Sequence, residues 1–143
     1  MIDAKSYLKQ VEKLDKQIEN KLVERSQWRD IALGITANIG GEKVQASGSQ
    51  QKMADAVIKC VDMESEIDRL IDDLINTKKS VIATIEQLES PTEYDILHKR
   101  YIQYLSLQEI ADKYNRDYTT ITTAHGRALK NVQNILDKVE VWK

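Results

Sequence analysis

Apolar residues recur every three or four positions along the first part of the chain, the spacing of one face of an α-helix. Between residues 3 and 33 the remaining positions are mostly Lys, Glu, Gln and Asp. This pattern predicts an amphipathic helix that needs a partner to cover its apolar side. The apolar positions are Leu8, Val11, Leu14, Ile18 and Leu22.

A second helix is predicted over about residues 52–88, where apolar positions alternate spacings of four and three as in a heptad seam. Lys78 is the one polar position of that seam. The seam is Ile67, Ile71, Leu74, Lys78, Val81, Ile85 and Leu88.

Residues 34–51 contain four of the five glycines and predict a loop between the two helices. We therefore expect a long antiparallel helical hairpin. Its remaining apolar surface predicts a homo-oligomer, with a dimer favoured.

The segment Ser90-Pro91-Thr92 predicts the boundary between two domains. Proline disfavours helical geometry in the residue before it and is well tolerated at the start of a new helix. We accordingly assign residues 1–89 to the hairpin, an oligomerisation region, and residues 90–143 to a C-terminal domain of three helices. The expected fold class is all-α.

The C-terminal domain carries the local signals of a helix-turn-helix. Ser106 and Glu109 form the S-x-x-E capping box that starts a helix. Asn115 follows that helix and tolerates the left-handed conformation of a tight turn, after which Asp117 can cap another helix. Small Ala111 is expected where the two helices cross, and Ile121 and Ala124, three residues apart, are expected to anchor the second helix on the first.

The second helix of this motif contains four threonines within the five positions 119–123. Four threonines cost roughly 2 kcal/mol of helix preference relative to alanine, so stability does not explain them. Threonine hydroxyls and methyls contact phosphates, base edges and the thymine methyl group in the major groove. No acidic residue occurs between residues 118 and 136. We therefore predict a DNA-binding face of Tyr118, Thr119, Thr120, Thr122, Thr123, Arg127 and Lys130.

Gly126 lies inside the same predicted helix, where glycine costs about 1 kcal/mol relative to alanine. Close approach of another backbone would explain it. A local weakness without function is the alternative.

Composition and charge add limits rather than a function. The chain has 143 residues, 41% apolar and 31% charged, with a net charge of -2, so any nucleic-acid surface must be a local patch. Residues 90–143 carry one more basic than acidic residue, whereas residues 1–89 carry three more acidic than basic ones. Without a secretion signal or a long apolar run, we expect a cytoplasmic protein with no membrane contact.

Candidate chemistry is sparse. The carboxylates between residues 62 and 73 lie mostly off the apolar seam and are interpreted as a solvated face. His98, His125 and Cys60 show no metal-ligand spacing, and there is no phosphate-binding loop or nucleophile paired with a base. We therefore expect no catalytic residues, no metal and no cofactor, and a protein that is not an enzyme.

The run "ILHKRYIQYLSLQEIADKYNRDYTTITTAHGRALKNV" resembles region 4 of bacterial sigma factors. With "KVQASGSQQKMADAVIKCVDMESEID" ahead of it, most of the chain is similar to small phage and prophage proteins related to the RinA and ArpU type regulators of late genes. The resemblance implies a phage transcriptional regulator that binds double-stranded DNA through Tyr118 and the threonines, with backbone support from Arg127.

Two other functions remain open from the sequence. A DNA-packaging protein such as a small terminase subunit also joins a helix-turn-helix to an oligomerising helical region. The alternative from a different class is an adaptor that binds RNA polymerase without DNA specificity, because sigma region 4 also contacts polymerase.

Overall fold

The computed structural model describes residues 2–34 and 46–141, and every regular element within these ranges is a helix. The predicted all-α class is confirmed. In chain order the helices are α1 (Ala4–Ala32), α2 (Ala46–Ile85), α3 (Pro91–Leu97), α4 (Leu107–Tyr114) and α5 (Tyr118–Val141). A π-helical turn, His98–Ile102, extends α3 without a break.

The observed end of α1 agrees with the prediction, whereas α2 begins earlier in the chain than predicted. α1 ends where expected, and Gly34 adopts φ 74° while its amide donates to the Ile31 carbonyl oxygen at 3.0 Å. A left-handed residue of this kind is the common end of a helix. α2 begins at Ala46, so residues 46–51 are helical rather than part of the expected loop. The rest of that loop, residues 35–45, lies outside the described residues.

The chain forms two compact units, residues 14–73 and residues 1–13 together with 74–143. The domain boundary near residue 90 stays a prediction. The beginning of α1 and the end of α2 share a core with the C-terminal helices, because their apolar positions are buried against one another. Local helix-breaking signals at Ser90-Pro91 mark the end of a helix but do not show which helices pack together.

The core of the larger unit draws on five of the helical elements. Its buried residues are Ala4, Leu8, Val11, Val81, Ile85, Leu97, Tyr101, Ile102, Ala128 and Val132. One polar group sits at its edge: the Thr84 hydroxyl donates to the Ser80 carbonyl oxygen at 2.9 Å and lies 3.0 Å from the Tyr7 hydroxyl. Because that hydroxyl has only one proton, Tyr7 donates to Thr84.

In the smaller unit the later part of α1 and the earlier part of α2 run antiparallel. Lys21 pairs with Glu66 at 3.5 Å, and the Cys60 thiol lies 3.9 Å from the Arg25 carbonyl oxygen. Residue numbers therefore rise along one helix as they fall along the other. The buried side chains between the two helices are Ile18, Ala56, Met63 and Ile67.

The observed heptad seam differs from the predicted one at two of its seven positions. Ile67, Leu74, Val81, Ile85 and Leu88 are buried or half-buried as expected, but Ile71 is 37% exposed and Lys78 is exposed. The covered positions next to the two exposed ones are Leu70 and Thr77, each one residue before the expected position, and Thr84 is buried beside Ile85. Periodicity therefore predicted five of the seven positions and missed the exposure of Ile71 and Lys78.

Candidate nucleic-acid interface

The capping box at the start of α4 is present in full, as predicted. The Glu109 amide donates to Ser106 Oγ at 3.1 Å, and the Ser106 amide donates to Glu109 Oε1 at 3.1 Å. Hydrogen bonds to the Glu109 carboxylate from the Ser106 amide and the Ser106 hydroxyl hold the pKa of this carboxyl below its usual value. α4 is therefore started by its own sequence and needs no partner to define its first residue.

A three-residue turn, residues 115–117, joins α4 to α5. Asn115 adopts the left-handed conformation with φ 56° and ψ 44°, which confirms the expected role of this residue. The Arg116 amide then donates to the Ala111 carbonyl oxygen at 3.0 Å. α5 starts directly after Asp117, whose carbonyl oxygen accepts the Ile121 amide at 3.2 Å.

A small core of its own fixes α5 against α4. Ala111 and Ile110 are fully buried, and Ile121 is 3% exposed. Ile96 of α3 completes this cluster, with Ala124 packed on its edge. The expected roles of Ala111, Ile121 and Ala124 are confirmed. Since these contacts use one side of α5, its opposite side is turned to solvent.

A carboxylate on α3 holds the end of α4. Asp95 accepts both a hydrogen bond from the Tyr114 hydroxyl and two from Lys99 Nζ, at 2.8 and 2.9 Å. Burial alone would raise the pKa of Asp95, but the hydrogen bonds from Lys99 and Tyr114 hold it below its usual value. Burial and the bond to Asp95 raise the pKa of Tyr114 to about 12. Tyr114 is the last residue of α4, so this cluster positions the turn that follows.

A second polar contact joins α5 to the π-helical turn. The Tyr101 hydroxyl and His125 Nε2 are 2.8 Å apart, and the two rings stack with centroids 5.7 Å apart. Burial and the nearby cations Arg100 and Lys5 lower the pKa of His125. His125 is therefore a packing residue at neutral pH, and its ring is not part of the outer face of α5.

The structure places most of the predicted DNA-binding residues on the outer face of α5. Tyr118 is 51% exposed. Thr119, Thr120, Thr123, Arg127 and Lys130 are also exposed. Thr122 differs, because it is half-buried and its hydroxyl donates to the Thr119 carbonyl oxygen at 3.0 Å. The hydroxyl proton of Thr122 is thus already used within the helix.

One exposed cation at this surface escaped the sequence analysis. Arg116 lies in the turn, directly before the N-terminus of α5, and is exposed. The sequence could have indicated this position, because Arg116 directly follows Asn115, the residue predicted to form the turn before the second helix. Together with Arg127 and Lys130 it gives this face three exposed cations.

Charge is unevenly distributed over the motif, although an exposed cation, Lys113, lies on α4 and an exposed carboxylate, Asp117, lies directly before α5. The carboxylates Glu109 and Asp112 are exposed on α4, and Asp112 accepts a hydrogen bond from Gln108 at 3.0 Å. The outer face of α5 carries hydroxyls and cations, with no carboxylate from residue 118 to 136. An anionic ligand with hydrogen-bonding edges fits this face better than it fits α4.

Residues 2–34 and 46–141 contain neither of two further features that would indicate a function. In these ranges no group of three or more His, Cys, Asp and Glu side chains lies close enough together to hold a metal ion. Within the same ranges no helix is both long enough and apolar enough to cross a membrane.

Comparison with known protein families identifies a match over most of the chain. Residues 36–133 match the family described as "Protein of unknown function (DUF1492)", and this is more than half of the chain. The chain therefore belongs to that family. No curated protein and no solved structure matches it.

Proposed function

We propose that this member of the DUF1492 family is a sequence-specific DNA-binding protein that regulates transcription of phage genes. The observation that carries the proposal is the outer face of α5, where exposed threonines and cations follow a capped helix and a left-handed turn. Its assignment to phage genes rests on the resemblance to sigma region 4 and to the RinA and ArpU type regulators. Activity as an enzyme is not part of the proposal.

The proposed reading helix is α5, entering the major groove by its N-terminal turns. Thr119 and Thr123 lie four residues apart on the outer side, so both can face the same groove. Threonine contacts base edges and the thymine methyl group, and Arg116, Arg127 and Lys130 meet phosphates on either side. α4 packs against the buried side of α5, and the hydrogen bonds of Asp95 with Lys99 and Tyr114 hold the end of α4.

We further propose that the protein acts as a dimer through the hairpin. In the smaller unit Val57, Ile58 and Val61 of α2 are 50%, 60% and 58% exposed. Val57 and Val61 are four residues apart and lie on one side of the helix. Two-fold pairing would present two copies of α5 to half-sites about 34–36 Å apart.

The direct test is selection of DNA fragments by the purified full chain at near-physiological salt, followed by sequencing of what is retained. We expect a short enriched sequence, since non-specific binding weakens as salt rises. Absence of enrichment together with co-purification of RNA polymerase would support the polymerase adaptor instead. Ring-sized oligomers that retain DNA would support a packaging protein.

A double variant and a control variant test whether α5 makes the contacts with the selected DNA. Thr119→Ala with Thr123→Ala is expected to weaken binding to the selected sequence by about 1 kcal/mol or more while leaving the protein folded. Thr92→Ala is the matched control, because Thr92 is an exposed threonine of α3 and has no part in the proposed face. Equal binding by the double variant and the control would remove α5 as the reading helix.

A further inference from the structure

Gly126 is exposed in the ninth position of a 24-residue helix, and its packing gives no reason for a glycine. A Cβ built at Gly126 would meet nothing within 4 Å, so neither a neighbouring helix nor a side chain requires its absence. Gly126 also has no positive φ that would favour glycine. Alanine would fit this site and form a better helix.

The position of Gly126 on α5 is informative. Thr119, Thr123, Gly126 and Lys130 follow one another at spacings of four, three and four, so they form a single row along the outer side of the helix. Gly126 is thus a gap in that row, directly between a threonine of the proposed reading face and an exposed lysine. Arg127 is its neighbour in sequence and is exposed as well.

Helix geometry gives the distance of this gap from the reading residues. Gly126 lies three positions after Thr123, a distance of about 4.5 Å along the helix axis. A recognition helix contacts bases with its N-terminal residues and the DNA backbone with residues further along, so a helix that reads bases with Thr119 and Thr123 brings Gly126 close to the sugar-phosphate backbone.

We propose that Gly126 is the point where α5 lets a DNA strand approach the helix backbone closely, with Arg127 and Lys130 on the adjoining phosphates. This inference rests on the proposed function and adds a positioning residue to it. The gap removes the side chain that would hold the wall of the groove away from the helix. The two cations beside it supply the attraction that draws the phosphates in.

The variant Gly126→Ala distinguishes this role from a weak point of the helix that has no function. If the role is correct, the variant raises thermal stability and lowers DNA affinity. The thermal midpoint should rise by about 2–8 °C, since alanine is the better helix former. DNA affinity should fall about tenfold, the cost of inserting one methyl group into a close contact. The loss should be similar for selected and unrelated sequences, because a backbone contact carries no sequence information.

Asn134→Ala is the matched control. Asn134 is exposed on α5, two turns beyond Gly126, so its replacement should also favour the helix while leaving DNA affinity unchanged. Wild-type protein that binds DNA, with Gly126→Ala binding equally well, would overturn the inference and leave the proposed function standing. A loss confined to the selected sequence would also overturn it. Wild-type protein that binds no DNA would overturn both.

Discussion

Removal of one hydroxyl group, in Tyr114→Phe, tests how the end of α4 is held directly before α5. The Tyr114 hydroxyl donates to Asp95 of α3 from the last residue of α4, one residue before the turn into α5. Phenylalanine keeps the ring and loses only the donor. Asp95 would keep its two hydrogen bonds from Lys99 Nζ, at 2.8 and 2.9 Å.

The expected loss follows from the exposure of the cluster. A hydrogen bond to a charged group contributes about 1.5–3 kcal/mol where water is excluded. The side chain of Asp95 is 37% exposed, so water replaces part of the lost bond. We therefore expect the free energy of unfolding to fall by about 1 kcal/mol at neutral pH. The matching fall in the thermal midpoint is about 2–8 °C.

The pH dependence of this difference is fixed by two pKa values. The pKa of Asp95 is lowered in the folded protein, so its contribution is present above the ordinary value of 3.8 and is lost as pH falls through the lower folded value. The pKa of Tyr114 is raised from 10.0 to about 12, so its contribution is present below pH 10 and is lost as pH rises towards 12. The difference between wild type and Tyr114→Phe should be constant between these limits.

Urea unfolding followed by circular dichroism at several pH values measures the effect. Tyr118→Phe is the control, because it makes the same chemical change at a tyrosine that is 51% exposed, and it should change stability by less than about 0.5 kcal/mol. Equal stabilities of the two variants at neutral pH would refute the role assigned to the Asp95 cluster. A difference that persists unchanged at pH 12 would refute the assignment to the Tyr114 hydroxyl.

Three further predictions concern the turn, the cations and the hairpin. Asn115→Ala should cost about 1 kcal/mol in urea unfolding because φ is 56°, whereas Asn115→Gly should be tolerated; equal losses would contradict the left-handed turn. Arg127→Gln should reduce by about one the slope of log affinity against log salt in DNA titrations, and an unchanged slope would exclude a phosphate contact. Val57→Ser with Val61→Ser should convert a dimer to a folded monomer in light scattering, and an unchanged mass would exclude this interface.

Local structure was accessible from the sequence wherever one or two residues determine it. The capping box of Ser106 and Glu109 and the left-handed Asn115 depend on hydrogen bonds and φ preferences within a few residues, and both are present. The burial of Ala111 and Ile121 also followed from their spacing on two adjacent helices. These signals set the position and direction of α5, and with it the candidate face.

Features that depend on distant contacts were not accessible in the same way. Thr84 is buried at the edge of the core, where the hydroxyl of Tyr7, 77 residues away, donates to it, and no local pattern contains that information. The exposure of Ile71 and Lys78, which the predicted seam placed on the covered side of α2, also depends on which helix faces pack together. The compact units likewise depend on which apolar faces meet, and Pro91 marks only the start of a helix.

The small number of cations on the candidate face has a consequence for how the protein would find its target. Arg116, Arg127 and Lys130 allow about three phosphate contacts in one chain, so affinity would fall only about fortyfold between 50 and 200 mM salt. Such a face binds DNA weakly by charge alone. Two copies would double the contacts and make the fall more than a thousandfold. Under the proposed function, pairing through the exposed valines of α2 would bring together two faces that separately hold DNA weakly, and the threonines of α5 would choose the sequence.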